Sequence, residues 1–194
     1  MLADKKSDQE LIQAYIEGDE KALEALLYQY KDKIYTSIYI RLKDHFIAED
    51  VFQETFIKII NTLKSGKYNH EGKFLPWAMR IAYNLVMDHF RKMKRTPPVV
   101  NNEGFDIFEI LNFSEDDAEV QLIKQQRDRD LKKVIQMLPD EQKEVLIMRH
   151  YCEMSFKEIA DITDVSINTA LGRMRYALSN MRKLIEENNL VLQS

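Results

Sequence analysis

An all-α protein, two small helical domains joined by an acidic linker, is the fold class that this 194-residue chain predicts. Three observations carry it. Glycine (5) and proline (4) are scarce, a balance that favours helices. Apolar residues recur at helical spacing along most of the chain, and no useful length alternates with the period of a strand. Residues 101–119, NNEGFDIFEILNFSEDDAE, hold seven acidic side chains and no Lys or Arg, an abrupt change that marks a tether.

The elements follow in order. Ser7 and Glu10 stand at capping-box spacing. Leu11, Ile12, Tyr15 and Ile16 then make one apolar face of a short helix that stops near Gly18. Asp19 caps the next helix, where Leu23, Leu26, Leu27, Tyr30, Ile34, Ile38 and Leu42 keep the helical period. A third helix is expected from about Ala48 to Leu63 and a fourth from about Leu75 to Lys94, with a polar loop between them. Pro97-Pro98 forbids continuation of the fourth. The helical pattern returns at about Asp117 and runs to Leu138. Further helices are expected at about Asp140–Tyr151, Phe156–Ile162 and Ile167–Glu187. The domain limits implied are 1–95, a linker at 96–125, and 126–194.

Bulk properties narrow the function classes. The formal net charge of −4 argues against tight autonomous binding to nucleic acid. Cys152 is the single cysteine, so no intramolecular disulfide is possible and a reducing compartment fits. The N-terminus lacks an apolar signal core, and no run of about eighteen apolar residues is present. A cytoplasmic protein without membrane insertion is expected. His45, His70, His89, His150 and Cys152 show no metal-ligand spacing, and no Gly-rich phosphate loop or nucleophile constellation stands out. The expectation is a non-enzyme with no metal and no cofactor. A helical hydrolase using His70, His89 and Asp88 has nothing to bring a nucleophile, base and oxyanion donors together.

The segment SFKEIADITDVSINTALGRMRYALSNMRK has the shape of a helix-turn-helix. Ser155 caps its first helix. Thr163-Asp164-Val165 makes the turn, and Ser166 caps the second helix. The inner face of that second helix is expected to be Ile167, Ala170, Leu171, Met174 and Leu178. Asn168, Thr169, Arg173 and Arg175 lie outside, suited to base edges and phosphates in a major groove. Asp50, Gln53 and Glu54 share one face of the third helix. GKYNHEGKFLPWAMRIAYNLVMDHFRKMKR, residues 66–95, joins a polar loop, the only tryptophan and a basic knot. Trp77 has core-like spacing with Phe74, Ile81 and Leu85, so core packing and base stacking both remain open for it.

Together these segments resemble the extracytoplasmic-function (ECF) sigma factors, a two-domain class of the sigma-70 family. AEDVFQETFIKI is similar to the family's core-binding helix. FLPWAMRIAYNLVMDHFRK resembles its promoter-melting helix, and LPDEQKEVLIMRHYCEMSFKEIADITDVSINTALGRMRYAL its promoter-reading domain. The resemblance implies a protein that binds core RNA polymerase, directs it to promoter DNA and helps open the duplex. By resemblance, Asp50, Gln53 and Glu54 dock on the polymerase. The loop Lys67-Tyr68-Asn69-His70-Glu71-Gly72-Lys73 captures a flipped base of the −10 element, with Tyr68 stacking and Asn69 and His70 on a base edge. Arg80, Asn84, Arg91, Lys92, Lys94 and Arg95 face the duplex edge and phosphates. Ser166, Asn168, Thr169, Arg173 and Arg175 contact the −35 element. Relatives often carry basic residues where this chain has Leu171, Tyr176 and Leu178, so its −35 preference cannot be borrowed. The linker, with Glu115, Asp116 and Asp117, is expected to thread toward the polymerase cleft. An anti-sigma factor, often membrane-bound in the family, is expected as a further partner. A simple helix-turn-helix regulator acting without polymerase is the competing reading, and residues 66–95 argue against it.

Overall fold

The computed structural model describes residues 6–69, 73–95, 130–188 and 190. The linker, His70, Glu71, Gly72 and the side chains of Lys94 and Arg95 lie outside the described residues. The described helices are α1 (Asp8–Ile16), α2 (Glu20–Leu42), α3 (His45–Lys64), α4 (Phe74–Arg95), α5 (Asp140–His150), α6 (Phe156–Thr163) and α7 (Ile167–Glu187), with a further helical segment at 130–136. They fall into two compact units, α1 to α4 and the 130–136 segment with α5 to α7.

In the first unit α2 packs against α1, α3 and α4. Its buried residues include Leu26, Ile34 and Ile38, and also Tyr35, Thr36, Tyr39 and Ile40, which lie off the single stripe that periodicity suggests. A helix with neighbours on several sides buries more than one face. Caps set its joints. Ser7 and Glu10 form the expected capping box on α1, and the Asp19 carboxylate accepts from the Lys21 N–H. Helix α3 begins three residues earlier than expected because the Asp44 side chain accepts from the Ile47 N–H and so caps it. Lys43, at the end of α2, takes the left-handed conformation that turns the chain into α3.

The second unit is tied by side chains as well as by core. Lys143 Nζ donates to the Gln136 carbonyl at 2.9 Å, joining α5 to the segment before it. Asn180 Nδ2 donates to Gln142 Oε1 at 2.8 Å, joining α7 to α5. Arg149 reaches the Met154 carbonyl at 2.8 Å and holds the connection into α6. Ser155 and Glu158 form a full capping box on α6. Asp164, with φ 54°, makes the left-handed corner between α6 and α7. Asp tolerates that region better than most residues.

The inner face of α7 differs from the expectation. Ala170, Met174 and Ala177 are buried, whereas Ile167, Leu171 and Leu178 are 45, 44 and 39% exposed. The contact line runs over small residues, so the neighbouring helices seat on the alanines and leave the larger flanking side chains outside.

Candidate polymerase and promoter interfaces

Helix α3 buries Ala48, Val51, Thr55, Ile59 and Leu63 and turns its other side to solvent. Asp50, Gln53 and Glu54 are all exposed there, as their spacing predicts. Glu54 pairs with Lys58 at 3.4 Å in an exposed i,i+4 contact, which is worth little to stability and leaves the carboxylate accessible. Sequence reasoning missed what flanks them. Phe46 is 81% and Ile57 57% exposed. Positions 46, 50, 53, 54 and 57 share one helical face. The face is therefore acidic with an apolar residue at each end, the composition of a docking surface with anchors.

The loop before α4 is organised by aromatic rings. Tyr68 lies on Trp77 with centroids 4.4 Å apart, Trp77 on Phe74 at 5.6 Å, and Phe74 on Tyr30 at 5.6 Å. Tyr30 Oη donates to the Asp8 carboxylate at 2.8 Å, so α1 braces the far end of this ring cluster. Phe74 is fully buried, while Trp77 and Tyr68 are half-buried. Trp77 packs against Phe74 and against Tyr68 of the loop and stays half-buried. Burial, with the Asp8 carboxylate as a smaller cause, pushes the Tyr68 phenol up to about 12. Asp8 and Tyr30 carried no sequence signal for this role, because they come close only when α1 folds across α2.

Beyond the ring cluster, α4 exposes Arg80, Asn84, Arg91 and Lys92. Arg80, Asn84 and Arg91 share one face, opposite the buried Ala78, Ala82 and Val86. Asp88 pairs with Arg91 and so orients that guanidinium along the helix. Arg41 adds a cation that sequence spacing could not find: its guanidinium lies over the Tyr83 ring at 4.3 Å, on the flank of the same helix. Lys67 and Asn69 are exposed in the loop.

In the second unit Asn168, Thr169 and Arg175 are exposed and Arg173 is half-buried. Ser166 caps α7: its hydroxyl accepts from the Thr169 N–H at 3.0 Å and lies 2.9 Å from the Thr169 hydroxyl. Both hydroxyls stay at the solvent surface while they serve the cap.

Comparison with known proteins gives the family. Residues 26–96 match the family model of sigma-70 region 2, and residues 128–179 that of sigma-70 region 4. The ECF RNA polymerase sigma factor SigW of Bacillus subtilis is 29% identical over 174 residues, 88% of this chain and 92% of the relative. The chain belongs to the ECF class of the sigma-70 family. A further relative of this sigma factor, the RNA polymerase sigma-H factor of Pseudomonas aeruginosa, is 27% identical over 186 residues, 94% of this chain and 95% of the relative. Among solved structures, the sigma factor RpoE in complex with the anti-sigma factor NepR, from Bartonella quintana, matches with a TM-score of 0.62 and 19% identity over 86% of this chain and 98% of that one. CnrH, in complex with the cytosolic domain of CnrY, matches at 0.60 and 17% identity over 94 and 99%. At these identities the likeness is one of fold. No helix among the described residues of the sigma factor is long and apolar enough to cross a membrane.

Proposed function

We propose that this sigma factor brings core RNA polymerase to selected promoters in the cytoplasm, recognises their −10 and −35 elements, and helps open the duplex. It acts as an initiation factor and carries no catalytic residues of its own. Residues 1–95 bind core and the −10 region, 96–125 serve as the linker, and 126–194 bind the −35 duplex. The observation that carries this reading is the cluster of aromatic rings beside a basic helix face. A displaced strand needs ring surfaces for its bases and cations for its backbone, and stacking is worth about 1–3 kcal/mol per base. Tyr68 and Trp77 supply the rings, while Arg80, Asn84 and Arg91 line the adjoining face and Lys92 stands on its flank.

Asp50, Gln53 and Glu54 meet basic side chains on the polymerase, with Phe46 and Ile57 entering apolar pockets at the two ends. An anti-sigma factor is the third partner. Support for it is the structural neighbour RpoE of Bartonella quintana, which is in complex with the anti-sigma factor NepR.

Run-off transcription tests the reading, with purified bacterial core polymerase and a pool of promoter fragments from the source genome. Wild type is expected to give promoter-specific transcripts, and Asp50→Arg/Glu54→Arg to lose them. Transcripts surviving the reversal would keep the function and move the docking face. Failure of wild type to bind core, with duplex DNA protected by the chain alone, would replace the reading with that of a simple regulator.

A further inference from the structure

The groove-facing side of α7 lacks the chemistry that reads guanine where a recognition helix first meets the bases. In the major groove, guanine is read by Arg or Lys, adenine by Asn or Gln, and thymine by apolar contact with its methyl group. The N-terminal residues of a recognition helix make those contacts. In the opening turns of α7 the exposed side chains include Ile167, Asn168 and Leu171. Leu171 is 44% exposed although it is large and apolar, because the helix seats on Ala170, Met174 and Ala177 instead. Asn168 stands three residues earlier, on the same side of the helix.

Gly172 adds an independent observation. A Cβ at this position would meet nothing within 4 Å, and its backbone is helical, so neither packing nor conformation asks for glycine. Glycine inside a helix is destabilising relative to alanine. A bare position with no internal cause lets an outside surface come close to the helix. Charge identifies that surface. Residues 166–183 carry Arg173, Arg175, Arg182 and Lys183 and no acid, which suits the phosphates on either side of a groove.

We propose that Leu171, brought near the bases by the bare Gly172 position, reads the 5-methyl group of a thymine in the −35 duplex, with Asn168 on an adenine beside it. This sigma factor then selects A·T pairs at the point where a cationic side chain would select guanine. The inference rests on the reading of α7 as the −35 helix. It deepens that reading by naming the base.

The test uses the full chain with core polymerase on a promoter recovered from the run-off selection. Each −35 thymine, on either strand, is replaced in turn by deoxyuridine, which keeps every hydrogen bond and removes only the methyl. At one position promoter occupancy is expected to fall about four-fold, the equivalent of one buried methylene-sized group. Leu171→Ala should abolish the difference between thymine and deoxyuridine at that position. Its side chain is exposed and alanine is a good helix former, so a thermal melt should match wild type. Wild type that transcribes normally yet ignores deoxyuridine at every −35 thymine overturns the proposal and leaves the sigma function standing. A Leu171→Ala variant that keeps the full thymine preference, or a −35 element with no thymine on either strand, does the same. No transcription from any promoter overturns both.

Discussion

On the proposed reading, Gly172 serves a partner at some cost to the isolated fold, and Tyr68 is held by packing on Trp77. Gly172→Ala places a methyl in open space, so the protein should gain about 0.5–1 kcal/mol, read as a higher melting temperature. The same methyl stands in the path of the groove, so −35-dependent transcription should fall. A variant that melts higher with undiminished transcription would show that no close approach occurs there. Burial, with the Asp8 carboxylate as a smaller cause, pushes the Tyr68 phenol up to about 12 from 10.0. The sign follows from linkage: the contribution of the packed ring is fully present below pH 10.0 and is lost as pH rises toward about 12. Trp77 emission should therefore change in that window together with late tyrosinate absorbance, and Tyr68→Phe should remove that step. If the emission of wild type and variant responded identically, the ring would not be packed on Trp77. The shared exposed face of Asp50, Gln53 and Glu54 was legible because three polar residues at i, i+3, i+4 need only a helix to share a side. Phe46 and Ile57 were not, because an apolar residue in a helix reads as core until its neighbours are placed.

At the level of the elements, caps proved more legible than faces. Ser7, Asp19, Ser155 and Ser166 were recognisable because a cap is a local hydrogen bond within three residues. All four side chains accept the expected backbone N–H. Ser155→Ala removes the oxygen that binds the Glu158 N–H and breaks the capping box of α6. A loss of about 1 kcal/mol is expected, measured as a lower denaturant midpoint for the second unit. An unchanged midpoint would mean that α6 is held by packing alone. Faces were harder. Periodicity gave α2 a single stripe, yet Tyr35, Thr36, Tyr39 and Ile40 are buried as well, because three helices surround it. On α7 periodicity placed Ile167, Leu171 and Leu178 inside, and the alanine seam put them outside. Hydrophobicity along a helix says that some face is buried. Which residues define it depends on how near the neighbouring helix can come.

For the whole molecule, the net charge of −4 and the basic faces of α4 and α7 are compatible on the proposed reading, in which the polymerase supplies the proximity. Two weak contacts held on one assembly act at high effective concentration. The chain alone should bind a cognate promoter duplex weakly and lose that binding steeply with salt, whereas the holoenzyme should hold the same duplex firmly. Filter binding over a salt series checks this. Tight, salt-resistant binding by the isolated chain would assign promoter affinity to the chain itself. The sequence by itself determined the helical class, the caps, the helix-turn-helix and the order of the family's segments. Each of these rests on interactions between residues within a few positions of one another, or on an ordered set of such motifs. Tertiary structure alone decided that Asp8 and Tyr30 brace the ring cluster, that Arg41 lies over Tyr83, and that Leu171 stands exposed beside a bare glycine. The physical reason is that these depend on distances between helices, and those distances are set by the packing of residues far apart in the chain.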